Sequence, residues 1–527
     1  MTGKITKPKK EKKQKSIEES LWESANKLRG TVEPSEYKHV VLGLIFLKFA
    51  SDKFEERRKE LVAEGKEKYL EMVDFYTMKN VFYLPEESRW SYLIKNAKQS
   101  DISIKIDTAL ITVEKKNPAL KGALPDNYYS RLNLDTAKLG ALLDEISKID
   151  TLKDKSHDII GRIYEYFLRK FAIAEGKGKG EFYTPKNIVN LIAELIEPYK
   201  GKIYDPCCGS GGMFVQSIKF IEAHHGNTKE VAIYGQESVP TTYKLAKMNL
   251  AIRGISSNLG DTAADTFGKD QHKDLKADFI MANPPFNQKD WRGANELTTD
   301  PRWAGYDVPP VSNANYGWIL HMASKLSSNG VAGFLLANGA LGDPDTVSIR
   351  KQIIKNHLVE AIIVLPRDMF YSTDISVTLW ILNKNKQARS IEHNGEMVKY
   401  RDRREEILFM DLRRKGEEYE KKYIQLTDAN IQEVVSTYHN WQREGVEKTY
   451  KNIPEFCYSA NLAEIERNNF SLIPSKYIEF VDRDSNIDYH KEMKRIQKQF
   501  TTILAEEKDS QEKLMEAFKH LGFEIEL

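Results

Sequence analysis

The sequence of 527 residues contains only three cysteines, Cys207, Cys208 and Cys457. That is too few for a disulfide framework, and two adjacent thiols do not form a CxxC metal half-site. Long apolar runs are missing as well. A membrane-spanning helix needs about 20 consecutive apolar residues. The best candidate, Val40 to Leu47, is stopped by Lys48 and followed by Asp52, Lys53, Glu55 and Glu56. No charge of one sign dominates: 79 Lys and Arg stand against 77 Asp and Glu, a formal net charge of +2. The total therefore advertises no polyanionic partner, although an evenly charged chain can still carry a basic stripe. The first fifteen residues are lysine-rich and polar and do not read as a secretory signal. The expectation is a cytoplasmic protein with reduced thiols and no membrane segment. What is present is a globular composition, 41% hydrophobic and 30% charged. At roughly 100–200 residues per domain, the length predicts about three domains.

Along the chain the pattern changes three times. Residues 1–15 carry seven lysines against Glu11 alone. They read as a disordered basic tail, either a solubilising arm or an arm that touches polyanion. Residues 16–174 read as a helical N-terminal domain. Leu21, Trp22, Ala25 and Leu28 recur at helical spacing up to Gly30, and Tyr37 to Val62 forms a long helix with an apolar first half. Leu139, Leu142, Leu143 and Ile146 mark another helix, and Ile163, Tyr164, Phe167 and Phe171 a third. Three glycines and two lysines then follow Glu175, a composition that cannot pack a core and that marks a boundary. Over residues 175–415 short apolar runs alternate with helical stretches. The runs are Ile203–Tyr204, Ala232–Tyr234, Phe279–Ala282, Val331–Ala337, Glu360–Leu365 and Val377–Leu382, with Ile407–Met410 as a further strand. This predicts an α/β fold with a doubly wound, mainly parallel sheet, whose ligands bind at the carboxyl ends of the strands. Residues 416–527 read as a helical C-terminal region with irregular stretches near Pro454 and Pro474. Met493, Ile496, Phe500 and Ile503 lie there at 3-4-3 spacing.

The strand ends carry the chemistry. The first runs into Asp205, Pro206, Cys207, Cys208, Gly209, Ser210, Gly211 and Gly212, and then a helix. A glycine-rich strand-to-helix turn lets the backbone approach a ligand. The Gly-Lys-[Ser/Thr] of a P-loop is absent, and Phe214 occupies the third glycine position of a dinucleotide fingerprint. Asp205 heads the loop. A carboxylate repels a pyrophosphate but attracts the ammonium and sulfonium of S-adenosylmethionine, so the loop suits that cofactor; a tight structural turn is the alternative. Glu237 ends the second strand, where an acid accepts ribose hydroxyls. Asp261 follows the third, placed to take a hydrogen bond from an adenine amine or simply to serve a turn. The fourth strand ends in Asn283, Pro284, Pro285 and Phe286. Such an [Asn/Asp/Ser]-Pro-Pro-[aromatic] run should arise by chance in roughly 0.02 of chains this long. The prolines fix the Asn283 side-chain oxygen and the Pro284 carbonyl, two acceptors for the two protons of an amine. They draw a planar amine toward tetrahedral, and Phe286 offers a face to a base that has left the duplex. His224 and His225 read as a helix end rather than a ligand pair. Methyl transfer from a sulfonium needs no metal, and none is assigned. From 287 to 315 no period holds. Trp291, Arg302, Trp303 and Tyr306 suit contact with extruded DNA, or a loop packed on its own domain.

In this order, Gly-Glu-Phe-Tyr-Thr-Pro-Lys, Asp-Pro-x-x-Gly-Ser-Gly-Gly and Asn-Pro-Pro-Phe, the sequence resembles the N6-adenine DNA methyltransferases. More narrowly, it resembles the modification subunit of type I restriction–modification systems, over nearly the whole chain. The resemblance implies that Glu181, Phe182, Tyr183, Thr184, Pro185 and Lys186 pack over the methionine end of S-adenosylmethionine. It implies that Ser210, Gly211 and Gly212 approach the cofactor by backbone, that Glu237 binds its ribose, and that Phe370 lies against the target base. Cys207 and Cys208 depart from the small residues usual there, and packing rather than catalysis is expected of them. The implied activity is that of an adenine-specific DNA-methyltransferase, the methylating subunit of a complex that protects host DNA. Its implied partners are DNA, a separate specificity subunit that binds two copies of this chain, and a restriction subunit. Methylation of RNA or of a protein glutamine amide, and an inactive binding module, are the alternatives, because each of the first two presents the same planar amine.

Overall fold

The structure, a computed structural model, describes residues 17–26, 34–149, 159–175, 184–370, 374–393, 396–419, 422–445, 449–481 and 489–520. The basic tail, Leu28, Gly30, most of the glycine–lysine segment, and Glu181, Phe182 and Tyr183 lie outside the described residues. Up to Ile478 the chain forms one compact unit, and from Glu479 a second. No helix among the described residues is long and apolar enough to cross a membrane.

The N-terminal part is helical. Its central helix, Pro34–Ala63, starts on a proline, whose missing N–H costs nothing at a first helical position. Val40, Leu42, Leu44, Ile45, Phe46 and Leu47 are all fully buried. A helix apolar around its whole circumference must be surrounded, and each such side chain contributes about 1.5–3 kcal/mol when buried. The helices Thr136–Ser147 and Ile159–Glu175 close over it with Leu139, Leu143, Tyr164 and Phe167. Gly43 permits this packing: a Cβ there would lie 2.7 Å from the Tyr129 hydroxyl, which donates to the Val40 carbonyl at 2.6 Å.

The α/β part is built on β1 (Gly201–Asp205), β2 (Val231–Gly235), β3 (Ser257–Asn258), β4 (Ala277–Ala282), β5 (Leu326–Ala337), β6 (Val359–Val364) and β7 (Val377–Asn383). All six apolar runs expected of the sheet are strands. Further strands follow: β8 (Arg389–His393) with β9 (Glu396–Tyr400), then β10 (Glu406–Asp411), then β11 (Glu417–Tyr419) with β12 (Tyr423–Gln425), and finally β13 (Cys457–Asn461). The main sheet runs β13-β10-β6-β7-β5-β4-β1-β2-β3. β1 to β5 are parallel, β7 enters antiparallel between β5 and β6, and β13 is antiparallel on β10. Every residue of β6 and β7 is buried, as expected for strands covered on both faces. Strand order reverses between β1 and β4, the crevice where open α/β sheets bind ligands.

Helix with irregular stretches near Pro454 and Pro474 was expected after residue 415, and β11, β12 and β13 lie there as well. β11 and β12 have three residues each, and β13 mixes Ser459 and Asn461 with the buried Cys457 and Ala460, so none of the three produces an apolar run. The second unit is the helix Tyr489–His520. Met493, Ile496, Phe500 and Ile503 are exposed along it.

Candidate active site

Asp205, Glu237 and Asn283 end, or directly follow, the adjacent strands β1, β2 and β4, and Asp261 follows β3. The glycine loop turns on two left-handed residues, Gly209 (φ 53°) and Gly211 (φ 79°), a conformation that costs glycine nothing. The helix Gly212–Ala223 begins immediately after. A Cβ at Gly209 or at Gly212 would meet no protein atom within 4 Å, so both face open space at the loop's mouth.

The loop is held by bonds that sequence reasoning missed. Gly209 N–H donates to Glu237 Oε2 at 3.0 Å, and Val239 N–H to Glu237 Oε1 at 2.8 Å. Cys208 N–H donates to the Gln236 carbonyl at 2.9 Å. Thr266 Oγ1 donates to the Pro206 carbonyl at 2.5 Å, and Asn249 Nδ2 to the Ser210 carbonyl at 2.7 Å. Glu237 thus braces the turn through both of its oxygens, and Oε1 also accepts from Ser238 Oγ at 3.4 Å. Asp205 is buried, with Oδ1 accepting from Cys207 N–H at 3.0 Å. Burial pushes its carboxyl up to about 7, and the Glu237 charge adds to the shift. Burial and the neighbouring Asp205 also push the Cys207 thiol well above its ordinary range, and the same causes act on Cys208. Neither is a thiolate nucleophile. Asp261 is exposed, its amide bonded to Gln271 Oε1 at 2.9 Å. A cationic, ribose-bearing ligand fits this set: a buried acid in need of a cation, a braced glycine turn and two acids on successive strand ends.

Asn283 differs from the acids. Its Nδ2 donates to Thr184 Oγ1 at 2.9 Å, while its Oδ1 is buried and has no hydrogen-bond partner. Pro284 is buried behind it. The turn closes at Asn287, itself left-handed (φ 52°), where Oδ1 accepts from Asn315 Nδ2 at 2.9 Å. The rings of Phe286 and Phe370 meet edge to face at 6.1 Å, with Phe370 buried and Phe286 half-buried. Pro185 precedes the helix Lys186–Ile196. Lys186 is exposed on the wall of a cleft of about 930 Å³, shared with Arg162, Glu165, Lys219 and Met369.

Of the two readings of the 287–315 loop, packing on its own domain is the one the structure matches. Trp291 and Trp303 do not face outward. They are 8% and 2% exposed, and their indole N–H groups donate to the carbonyls of Pro310 and Leu297. Phe267 lies 4.4 Å from Trp291 and 4.3 Å from Trp318. Arg302 pairs with Asp300 and donates to the carbonyls of Thr266 and Phe267. Tyr306 accepts from Asn356 Nδ2 at 3.1 Å. Packing on the domain wins over exposure to DNA because these side chains close the edge of the sheet's core. Beneath them, burial and then the Arg302 charge push His321 down to about 3. It stays neutral, between Arg302 on Nδ1 and the Tyr204 hydroxyl on Nε2.

Residues 155–486 match the family described as N-6 DNA Methylase, and residues 17–148 the HsdM N-terminal domain. The chain is 36% identical to the type I restriction enzyme MjaIX methylase subunit of Methanocaldococcus jannaschii, over 96% of this chain and 92% of that one. It is 39% identical to the HindI methylase subunit of Haemophilus influenzae, over 83% of this chain and 99% of its relative. Among solved structures, the methyltransferase subunit of a type I restriction–modification system from Streptococcus thermophilus superposes with a TM-score of 0.71. It is 23% identical, over 88% of this chain and 99% of that one, and shares the fold.

Proposed function

Because this chain belongs to the N-6 DNA methylase family, as a type I restriction–modification methylase subunit, we propose that it moves the methyl group of S-adenosylmethionine to the N6 amine of adenine in DNA. The observation that carries the reading is the buried, partnerless Oδ1 of Asn283 at the end of β4. A buried acceptor left unpaired costs about 1–3 kcal/mol. That cost is recovered when an N–H of the substrate arrives.

Asp205 would hold the cofactor's cationic end, Glu237 its ribose and Asp261 its adenine amine, with the backbone of Ser210, Gly211 and Gly212 beside it. Pro185 and Lys186 would stand at the methionine end together with Glu181, Phe182 and Tyr183. When bound there, S-adenosylmethionine supplies a methyl group on a sulfonium. Asn283 Oδ1 and the Pro284 carbonyl would accept hydrogen bonds from the two amine N–H groups, so that the nitrogen lone pair would turn toward that methyl. Held in this way, the amine would be set to take up that methyl, and its extra proton would pass to water. Phe286 stacks on the extruded base, and Phe370 holds the Phe286 ring edge-on.

The cytoplasmic setting, a specificity subunit carrying two copies of this chain, and a restriction subunit in the full complex belong to the same reading. Labelled methyl transfer to DNA, with subunits of its own system co-expressed, tests it. Asn283→Ala should abolish transfer while cofactor affinity stays within about twofold. An Asn283→Ala enzyme keeping most of its rate would refute amine activation.

A further inference from the structure

A primary amide has two chemically opposite ends, and only one of them can serve an incoming amine. Oδ1 accepts, whereas Nδ2 would set its own hydrogens against those of the substrate. Nothing in the Asn-Pro-Pro-Phe run itself decides which end points outward, because rotating the terminal torsion by half a turn exchanges them at little cost. The bond that the amide makes in the structure comes from 99 residues earlier in the chain. Thr184 Oγ1 takes the Nδ2 hydrogen at 2.9 Å, and Oδ1 is left as the buried, unpaired end.

We infer that Thr184 is a positioning residue that sets the Asn283 amide with its oxygen toward the target amine, rather than only a wall of the cofactor site. This rests on the proposed role of Asn283. Thr184 is suited to the task by its place. It precedes Pro185, which biases it to extended backbone, and Pro185 caps the helix Lys186–Ile196, so the hydroxyl is carried on a fixed support. Without the hydroxyl, Nδ2 would lose its buried acceptor. The amide would turn its NH₂ out toward water and the substrate, and the competent fraction of enzyme would fall.

Thr184→Val keeps the shape and deletes the acceptor, and Thr184→Ser keeps the acceptor. Both are read by single-turnover methyl transfer to DNA in the co-expressed complex, alongside calorimetric titration with S-adenosylmethionine. Thr184→Val should slow transfer by about five- to a hundredfold with cofactor affinity changed by less than about threefold, and Thr184→Ser should recover most of the rate. Asn283→Asp adds an independent arm. A carboxylate has two equivalent acceptor ends and needs no orienting partner, so Thr184→Val in that background should cost within about threefold. A wild-type rate in Thr184→Val would overturn the inference. So would a failure of serine to rescue, with affinity and rate falling together, or an undiminished penalty in the Asn283→Asp background. Should Asn283→Asp be inactive, the Val and Ser pair decides alone. Loss of rate in Asn283→Ala with no effect of Thr184→Val sinks the positioning role and leaves the amine reading standing.

Discussion

Asn249 Nδ2 donates to the Ser210 carbonyl at 2.7 Å, while its own Oδ1 accepts from Arg253. Arg253 in turn donates to the Gly161 carbonyl at 3.0 Å and pairs with Glu165, which also accepts from Lys219 at 2.9 Å. The glycine loop is therefore tied to the N-terminal helices through two side chains, Asn249 of the helix Pro240–Ile252 and Arg253 at its end. Asn249→Ala should weaken S-adenosylmethionine binding about five- to twentyfold in calorimetric titration, because Ser210 loses its anchor and the loop must be ordered at the moment of binding. Unchanged affinity would show that the loop holds itself.

Glu237 has two tasks, and two variants separate them. Glu237→Ala removes both the brace on Gly209 and a charged acceptor worth roughly 1.5–3 kcal/mol, so cofactor affinity should fall tenfold or more. Glu237→Gln keeps an oxygen for the brace but loses the charge, and its loss should be smaller. Equal losses would mean that the charge is what Glu237 supplies and that the brace adds nothing.

Binding should also follow the Asp205 proton. Its carboxyl is raised in the folded protein to about 7. A raised acid contributes stability below the unfolded carboxyl value, near 4, and that contribution is lost as pH climbs through 7. A cationic ligand favours the ionised form, so affinity should rise between about pH 5.5 and 7, by at most about tenfold per unit. Titrations across that window should be steep for wild type and flat for Asp205→Asn. A flat wild-type profile would remove Asp205 from the cationic end.

The helix Tyr489–His520 carries the remaining prediction. Met493, Ile496, Phe500 and Ile503 fall on one stripe, as in a coiled-coil seam, and are 46%, 46%, 61% and 59% exposed. Deleting residues 489–527 should leave S-adenosylmethionine binding intact and abolish co-purification with the specificity subunit. Full-stoichiometry recovery of the truncated chain with that subunit would place the contact elsewhere.

Much of this was legible because its signals are local. Asp205 to Gly212 and Asn283 to Phe286 each unite strand end, turn and chemistry within eight residues, and β6 and β7 are mainly apolar, interrupted only by Glu360 in one and by Thr378 and the final Asn383 in the other. The braces were not legible, since they join residues far apart: Thr184 to Asn283, Gly209 to Glu237, Thr266 to Pro206. One left a trace. Asn249 sits among Leu245, Ala246, Met248 and Leu250, a polar residue in a buried helix face that must find a partner. Trp291 and Trp303 left two readings open because an aromatic in an aperiodic loop looks the same whether it faces solvent or, as here, other rings: Trp291 packs on Phe267 and Trp303 on Trp291. β13 escaped because its five residues, Cys457 to Asn461, mix Ser459 and Asn461 with the buried Cys457 and Ala460 and show no apolar run.

The place of β7 bears on how the chain is made. Synthesis delivers β5, then β6, then β7, but in the sheet β7 lies between the other two. A nascent chain that has emerged only as far as Val364 holds β6 with no neighbour on either side, since β10 also comes later. β5 meanwhile presents an open hydrogen-bonding edge. Both are the kind of apolar, unpaired strand that recruits other chains. Residues 377–383 remove both hazards at once by bonding to β5 on one side and β6 on the other. A ribosome paused just before them would expose the aggregation-prone form of this subunit, and one paused after β13 would not.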